Sequence, residues 1–231
     1  MTTKRLHPRK VFPQSQPRDL LQFERQSFDQ GFRFIIGVDE AGRAPLAGPV
    51  VAAAVSLKRD DFSVAIRDSK KMTARQREEA FLEIQERAHV GLGIICETVI
   101  DEHNILQATF LAMTNAVNDL MAGLRRDRLP EIPLTGQVKL LIDGPYFKSD
   151  LPYAFEPIIQ GDDRSLSVAC ASVMAKVTRD RILQAYHRVF PDYGFDRHKG
   201  YPTALHIEAL ARLGPTIIHR KTFKYVRAEA G

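Results

Sequence analysis

The first residues in the chain equipped for chemistry are two adjacent carboxylates closing an apolar run. Phe34-Ile35-Ile36-Gly37-Val38 leads into Asp39-Glu40, and Gly42 follows. A second apolar run, Lys139 to Ile142, ends in Asp143 before Gly144-Pro145, and Asp162 sits in a polar segment with Gly161, Asp163, Arg164 and Ser165. Open α/β sheets receive their ligands beyond the carboxyl ends of their strands, where such acids can converge. Clustered carboxylates repel one another, and some take up protons unless cations relieve them. Mg2+ and Mn2+ favour oxygen ligands, and two such ions about 3.5–4 Å apart suit displacement at phosphorus. Neighbouring side chains of a regular strand point to opposite faces. Asp39 and Glu40 therefore face one ligand only if the chain bends there, a freedom that Gly42 supplies. The same acids are also ordinary turn starters, and spacing alone leaves both readings open.

These acids need elements to position them. A helix is expected from Asp19, with Leu20, Leu21, Glu24 and Phe28 at helical spacing and Gly31 to end it. Strands are expected at Phe34–Val38, Val50–Leu57, Gly91–Val99 and Lys139–Ile142. Two glycines and two prolines between Ala41 and Pro49 mark a turn. Thr73 with Gln76 has capping-box form and opens a helix to about His89. Further helices are expected at Asn104–Leu124, at Ser167–Phe190 (small residues Ala169, Ala171, Ser172 and Ala175 permitting close packing) and at Pro202–Leu213. Strands interleaved with helices predict an α/β fold with a mixed sheet.

The 231 residues, 44% hydrophobic and 26% charged, suit one globular domain with an appendage. No apolar run approaches the ~20 residues of a membrane span, and no hydrophobic stretch follows the basic Met1–Lys10. Cys96 and Cys170 lie in apolar runs without CxxC spacing, which predicts buried free thiols in a reducing compartment and a cytoplasmic protein. The net charge of +5 divides unevenly, as +4 over residues 1–33, −6 over 34–163 and +7 over 164–231. Basic flanks around an acidic centre suit a protein that attracts a polyanion and holds cations where it works, although solvated surface has the same composition.

Seven blocks in fixed order carry a more specific signal. GVDEAGRAPLAGPVVAAAV (37–55) resembles the opening signature of type 2 ribonuclease H, the bacterial ribonuclease HII family. The resemblance continues through DSKKM (68–72), DEHNILQATFLAM (101–113), LLIDGP (140–145), GDDRSLSVACASVMAKVTRDR (161–181), YGFDRHKGYPTALHIEAL (193–210) and HRKTF (219–223).

That resemblance implies the ribonuclease H-like fold: a central mixed five-stranded sheet flanked by helices, with a helical C-terminal part. It implies a catalytic domain over 34–231, preceded by a basic extension of a flexible tail and a short helix over 1–33. Asp39, Glu40, Asp143 and Asp162 match the family's metal-binding acids, with Asp39 between two Mn2+ or Mg2+ ions. The implied reaction is endonucleolytic hydrolysis of the RNA strand of RNA–DNA hybrids. Duplex DNA containing ribonucleotides is the other implied partner, cut on the 5′ side of a single ribonucleotide to leave a 3′-hydroxyl and a 5′-phosphate. The implied role is removal of misincorporated ribonucleotides and RNA primers, by a monomer. The 2′-hydroxyl is the group that marks RNA at such a junction. A Gly-Arg-Gly turn reads it in this family, and Gly42 and Arg43 match; Ala44 departs from glycine, so a weakened junction preference is expected. Tyr201 matches the tyrosine that packs on the neighbouring deoxyribose. Arg164 and Met72 replace the commoner Lys and Leu.

Lys70, Lys71, Lys176 and Arg179 are candidates for phosphate contacts. His198 is a candidate for substrate handling, with His206 and His219 behind it, whereas Tyr186 and Phe190 fit a core. The sister ribonuclease HIII carries an N-terminal substrate-binding domain for which 33 residues are too few. A silent hybrid binder has no use for clustered acids, and a clamp-binding QxxLxxFF motif is absent from Tyr225–Gly231.

Overall fold

The computed structural model describes residues 19–127 and 133–229, so the expected tail over 1–18 lies outside the described residues. The elements in chain order are α1 (Gln22–Asp29), β1 (Phe34–Ala41), β2 (Val50–Leu57), α2 (Ala74–Arg87), β3 (Ala88–Ile95), α3 (Glu97–Arg126), β4 (Val138–Asp143), β5 (Ala154–Ile158), α4 (Leu166–Val189), α5 (Phe195–His198), α6 (Ala204–Leu213) and α7 (Lys224–Glu229). The strands form one five-stranded sheet in the order β3-β2-β1-β4-β5. β2 pairs antiparallel with β1 and β3, while β4 pairs parallel with β1 and β5. This is the expected mixed sheet.

Alternation along the strands divides the core between two faces. Ile36 and Val38 of β1 pack with Ala112, Met113 and Val117 of α3. Ile35 faces the other way, against Val168 of α4. Gly37 lies on that second face, where an added Cβ would fall 2.2 Å from the backbone carbon of Ser167. The start of α4 thus rests on the bare backbone of β1. The small residues of α4 let it stay close along β2, where Ala169, Ala171 and Ala175 pack with Val51 and Ala53. α1 is fastened to the same corner: Glu24 Oε1 accepts from the Ser165 hydroxyl at 2.6 Å and from the Ser167 backbone at 2.9 Å.

The structure departs from expectation where the acids begin. β1 does not end at Val38. It continues to Ala41 because β2 keeps pairing with it, Asp39 opposite Ala53 and Glu40 opposite Ala52. Pairing with β4 stops at Val38 opposite Ile142. The two parallel strands therefore lose contact at the level of Asp39, next to Asp143 at the end of β4.

Other differences have local causes. The run from Gly91 leaves the sheet at Ile95, and α3 opens at Glu97 with a kink at Asn104 (φ 68°, ψ 161°). Asn104 Oδ1 accepts from the amides of Leu106 and Gln107, so it caps the helix expected to start there. Cys96, at that same exit from the sheet, is exposed rather than buried, while Cys170 is buried as expected. β5 escaped the sequence reading because it is an edge strand, with exposed Ala154 and Phe155 and a proline at 157. α5 to α7 gather around Leu46, Ala47, Leu183, Tyr193, Phe195 and Ile218, and Tyr186 and Phe190 pack on this cluster.

Since backbone atoms cannot yield at 2.2 Å, Gly37→Ala is expected to destabilise the protein by about 3 kcal/mol. Gly136→Ala, which meets nothing within 4 Å, serves as control. Denaturant midpoints check this; equal midpoints for the two variants would show that α4 does not bear on β1 as described.

Candidate active site

The split between β1 and β4 puts Asp39 within electrostatic reach of Asp143, and Asp143 within reach of Asp162. Asp39 lies on the α4 face of β1, beside the place where Asp143 ends β4. Asp143 Oδ1 accepts the amide of Gly161 at 2.7 Å, which draws the 161–163 turn, and with it Asp162, to the same strand end. Glu40 lines the adjoining cleft together with Gly42, Arg43, Ala44, Lys70, Ser172, Lys176 and Tyr201. Arg43 reaches back to Glu40 at 3.4 Å.

The electrostatics express the crowding. Burial, then the Glu40 and Asp143 carboxylates, push Asp39 well above the usual carboxylate range, although the Ser172 hydroxyl and the Glu40 amide work in the opposite direction. Burial raises Glu40 as well, against the pull of Arg43. Asp162 is pushed up to about 6 by burial and then by Asp143 and Asp68. Burial opposes the Lys70 ammonium, yet Asp39, Asp162, Asp68 and Asp143 together outweigh it and raise its pKa. Lys70 is thus the cation that these acids share.

Among the described residues no three Asp, Glu, His or Cys side chains converge as a finished metal cage. The donor set nevertheless fits a hard divalent cation. Its donors are all carboxylate oxygens, they are partly desolvated, and their mutual repulsion is what such an ion relieves.

The structure gathers several of the expected residues at the cleft and withdraws Arg179 from it. Lys176 pairs with Asp180 at 2.8 Å and lies over the Tyr201 ring, 5.8 Å from its centroid, at the cleft. Lys71 stands to one side, paired with Asp163 and Asp68. Arg179 is a correction: it is 1% exposed, and its three nitrogens donate to the carbonyls of Pro49, Lys199 and Ala47, each at 2.9 Å. Buried and turned to these carbonyls, the guanidinium is not presented to a phosphate. Ala44 is also clarified. Positive φ among the described non-glycine residues is confined to Asn104, Gln160 and Lys199, so Ala44 carries no such strain and adds only an exposed methyl to the cleft.

The histidines are structural. His198 Nε2 donates to the Tyr193 carbonyl at 2.7 Å and its Nδ1 accepts the Gly200 amide at 3.1 Å. The Thr216 amide donates to His219 Nδ1, His219 Nε2 meets His206 Nε2 at 3.1 Å, and His206 Nδ1 donates to the Tyr201 carbonyl. Burial lowers His206 and His219 to about 4, which keeps the chain neutral.

Ser69, Ser172 and Arg220 were not anticipated. The buried Ser69 and Ser172 hydroxyls bond at 2.9 Å, tying the 68–72 segment to the helix that faces Asp39. Arg220, fully buried, donates to the carbonyls of Gly42 at 2.6 Å, Arg43 at 2.9 Å and Gly48 at 2.7 Å. Only the positive charge in HRKTF pointed to it, and its partners are main-chain atoms.

The family model for ribonuclease HII matches residues 36–226. A ribonuclease HII from Syntrophobacter fumaroxidans is 49% identical over 216 residues, covering 92% of this chain and 86% of the relative. One from Bacillus subtilis is 44% identical, covering 91% and 77%. Among solved structures, ribonuclease H2 from Pyrococcus horikoshii OT3 superposes with a TM-score of 0.62 at 23% identity, covering 85% of this chain and 96% of that one. Bst-RNase HIII in complex with Mn2+ gives 0.69 at 17% identity, covering 96% and 75%. At those identities the structures speak for the fold alone.

Asp143 raises Asp39, Glu40 and Asp162 alike. The folded pKa of Asp162, about 6, exceeds its ordinary 3.8. Between these values the folded state binds the proton more tightly, so stability falls as pH rises through the window, and the penalty is complete at pH 7. Asp143→Asn is therefore expected to raise the Tm of cation-free protein at pH 7, with the gain closing towards pH 4. A gain equal at both pH values, or none at pH 7, would contradict this repulsion.

Proposed function

Because the chain belongs to the ribonuclease HII family, we propose that it hydrolyses the RNA strand of RNA–DNA hybrids and cuts duplex DNA on the 5′ side of a single embedded ribonucleotide. Residues 34–231 form the catalytic unit in this reading. The observation that carries it is the set of crowded acids at the split between β1 and β4, beside a cleft lined by Gly42, Arg43, Ala44 and Tyr201.

Asp39, Glu40, Asp143 and Asp162 would hold two divalent cations, Mg2+ or Mn2+, that activate the attacking water and stabilise the leaving 3′-oxygen. Water adds to phosphorus, the P–O3′ bond breaks, and the products carry a 3′-hydroxyl and a 5′-phosphate. Lys70 and Lys176 supply positive charge to backbone phosphates around the cleft. Arg43 contributes charge at the rim and restrains Glu40. The backbone of Gly42 to Ala44 reads the ribose 2′-hydroxyl, and the Tyr201 ring, backed by Lys176, packs on the next sugar. The cellular role consistent with these substrates is removal of misincorporated ribonucleotides and of RNA primers by a cytoplasmic monomer. No helix among the described residues is long and apolar enough to cross a membrane.

The test uses an end-labelled DNA duplex with one ribonucleotide, beside a duplex with an all-RNA strand, each with Mn2+ or Mg2+. Cleavage on the 5′ side of the ribonucleotide is expected, falling at least about a hundredfold in Asp39→Asn. Tight binding with no cut in either duplex would replace this reading with that of a hybrid-binding protein. In the same assay Ala44→Gly is expected to raise the ratio of single-ribonucleotide to all-RNA cleavage several-fold; an unchanged ratio would mean that the extra methyl does not touch the ribose.

A further inference from the structure

Arg220 holds two consecutive peptide groups from behind. Its Nη2 donates to the Gly42 carbonyl at 2.6 Å and its Nη1 to the Arg43 carbonyl at 2.9 Å. Nε and Nη2 also reach the Gly48 carbonyl, at 3.0 and 2.7 Å, so the guanidinium spans both limbs of the turn. A trans peptide directs its C=O and N–H to opposite sides, and no peptide here is cis. Carbonyls turned inward to Arg220 therefore turn the N–H groups of Arg43 and Ala44 outward. Neither N–H meets an acceptor among the described residues, and both residues line the cleft. A carbonyl bonded to a cation also makes the N–H of its own peptide a stronger donor, because hydrogen bonds in a chain polarise one another.

We propose that Arg220 is a positioning residue that sets the enzyme's selectivity for ribose, by orienting and polarising the Gly42–Arg43 and Arg43–Ala44 peptides as a pair of outward N–H donors. Arg179 steadies the far limb through Ala47 and Pro49. Gly42 must be glycine for this packing, since its φ is +101° and a Cβ would lie 2.1 Å from Arg179 Nε. The buried Glu97 carboxylate supplies the opposite charge to both guanidiniums. The proposal rests on the reading of residues 42–44 as the ribose-recognising turn.

Arg220→Lys keeps the charge but replaces a planar fork with a single point that cannot serve Gly42, Arg43 and Gly48 together. The ratio of affinities, measured in EDTA, for a DNA duplex with one ribonucleotide over the all-DNA duplex is expected to fall about tenfold, the value of roughly one well-placed hydrogen bond. A structural defect alone would weaken both duplexes equally and leave the ratio unmoved, which would overturn the proposal. Should Arg220→Lys fail to fold, the wild-type protein answers the question by NMR in EDTA. The Arg43 and Ala44 amide resonances are expected to shift on binding a DNA duplex with one ribonucleotide and not on binding the all-DNA duplex, and equal shifts would overturn the proposal. Absence of any hybrid cleavage by the wild-type enzyme would instead remove the functional reading, leaving Arg220 as a support for the turn.

Discussion

Two buried guanidiniums and the main-chain carbonyls they hold are the constraint on which the cleft depends. Arg179 and Arg220 spend all six of their nitrogens on the carbonyls of Gly42, Arg43, Ala47, Gly48, Pro49 and Lys199. Burying a guanidinium is costly unless every donor is satisfied. Here burial lowers the two to about 10 and about 9, still protonated at neutral pH. A turn that breaks the sheet between β1 and β2 would otherwise leave these carbonyls stranded beside the core. The interaction solves both problems together, and in doing so joins α4 and the C-terminal segment to the strand that carries Asp39 and Glu40.

A second constraint opposes stability. The acids lie where β1 and β4 part, and burial combined with mutual repulsion raises Asp39, Glu40 and Asp162. The fold tolerates this because the surroundings are tied down independently. α4 rests on Gly37, Ser69 bonds to Ser172, and Asp143 bonds to the Gly161 amide. Lys70 offers partial neutralisation from one side. Charge that is unfavourable to the folded chain alone is the kind that a hard divalent cation would relieve.

Much of this was legible in the sequence, for reasons that also define what was not. Acids closing apolar runs announce themselves because strand ends and turn residues have strong signatures, and Asp143 does interact with both Asp39 and Asp162 where β4 ends. The strand expected to end at Val38 runs on to Ala41 because β2 keeps pairing with it, while β4 stops. β5 was silent because an edge strand with exposed residues and Pro157 shows neither alternation nor an apolar run. Arg179 was expected at a phosphate because its actual partners are carbonyls, which every residue possesses and no motif records. Arg220 was hidden for the same reason. His198, His206 and His219 drew notice as candidates for substrate handling, but burial lowers their pKa values and backbone partners occupy their ring nitrogens.

The span of the Arg220 contacts has a consequence for how the molecule is made. Arg220 lies 178 residues after Gly42 and 177 after Arg43. A chain emerging from the ribosome therefore delivers Asp39, Glu40, Asp143 and Asp162 before the side chain that holds the turn has been synthesised. The strands and the turn between them are made early, and the guanidinium that clamps that turn is among the last groups to arrive. In a nascent or clipped chain that ends short of residue 220, the carbonyls of Gly42 and Arg43 would lack this partner.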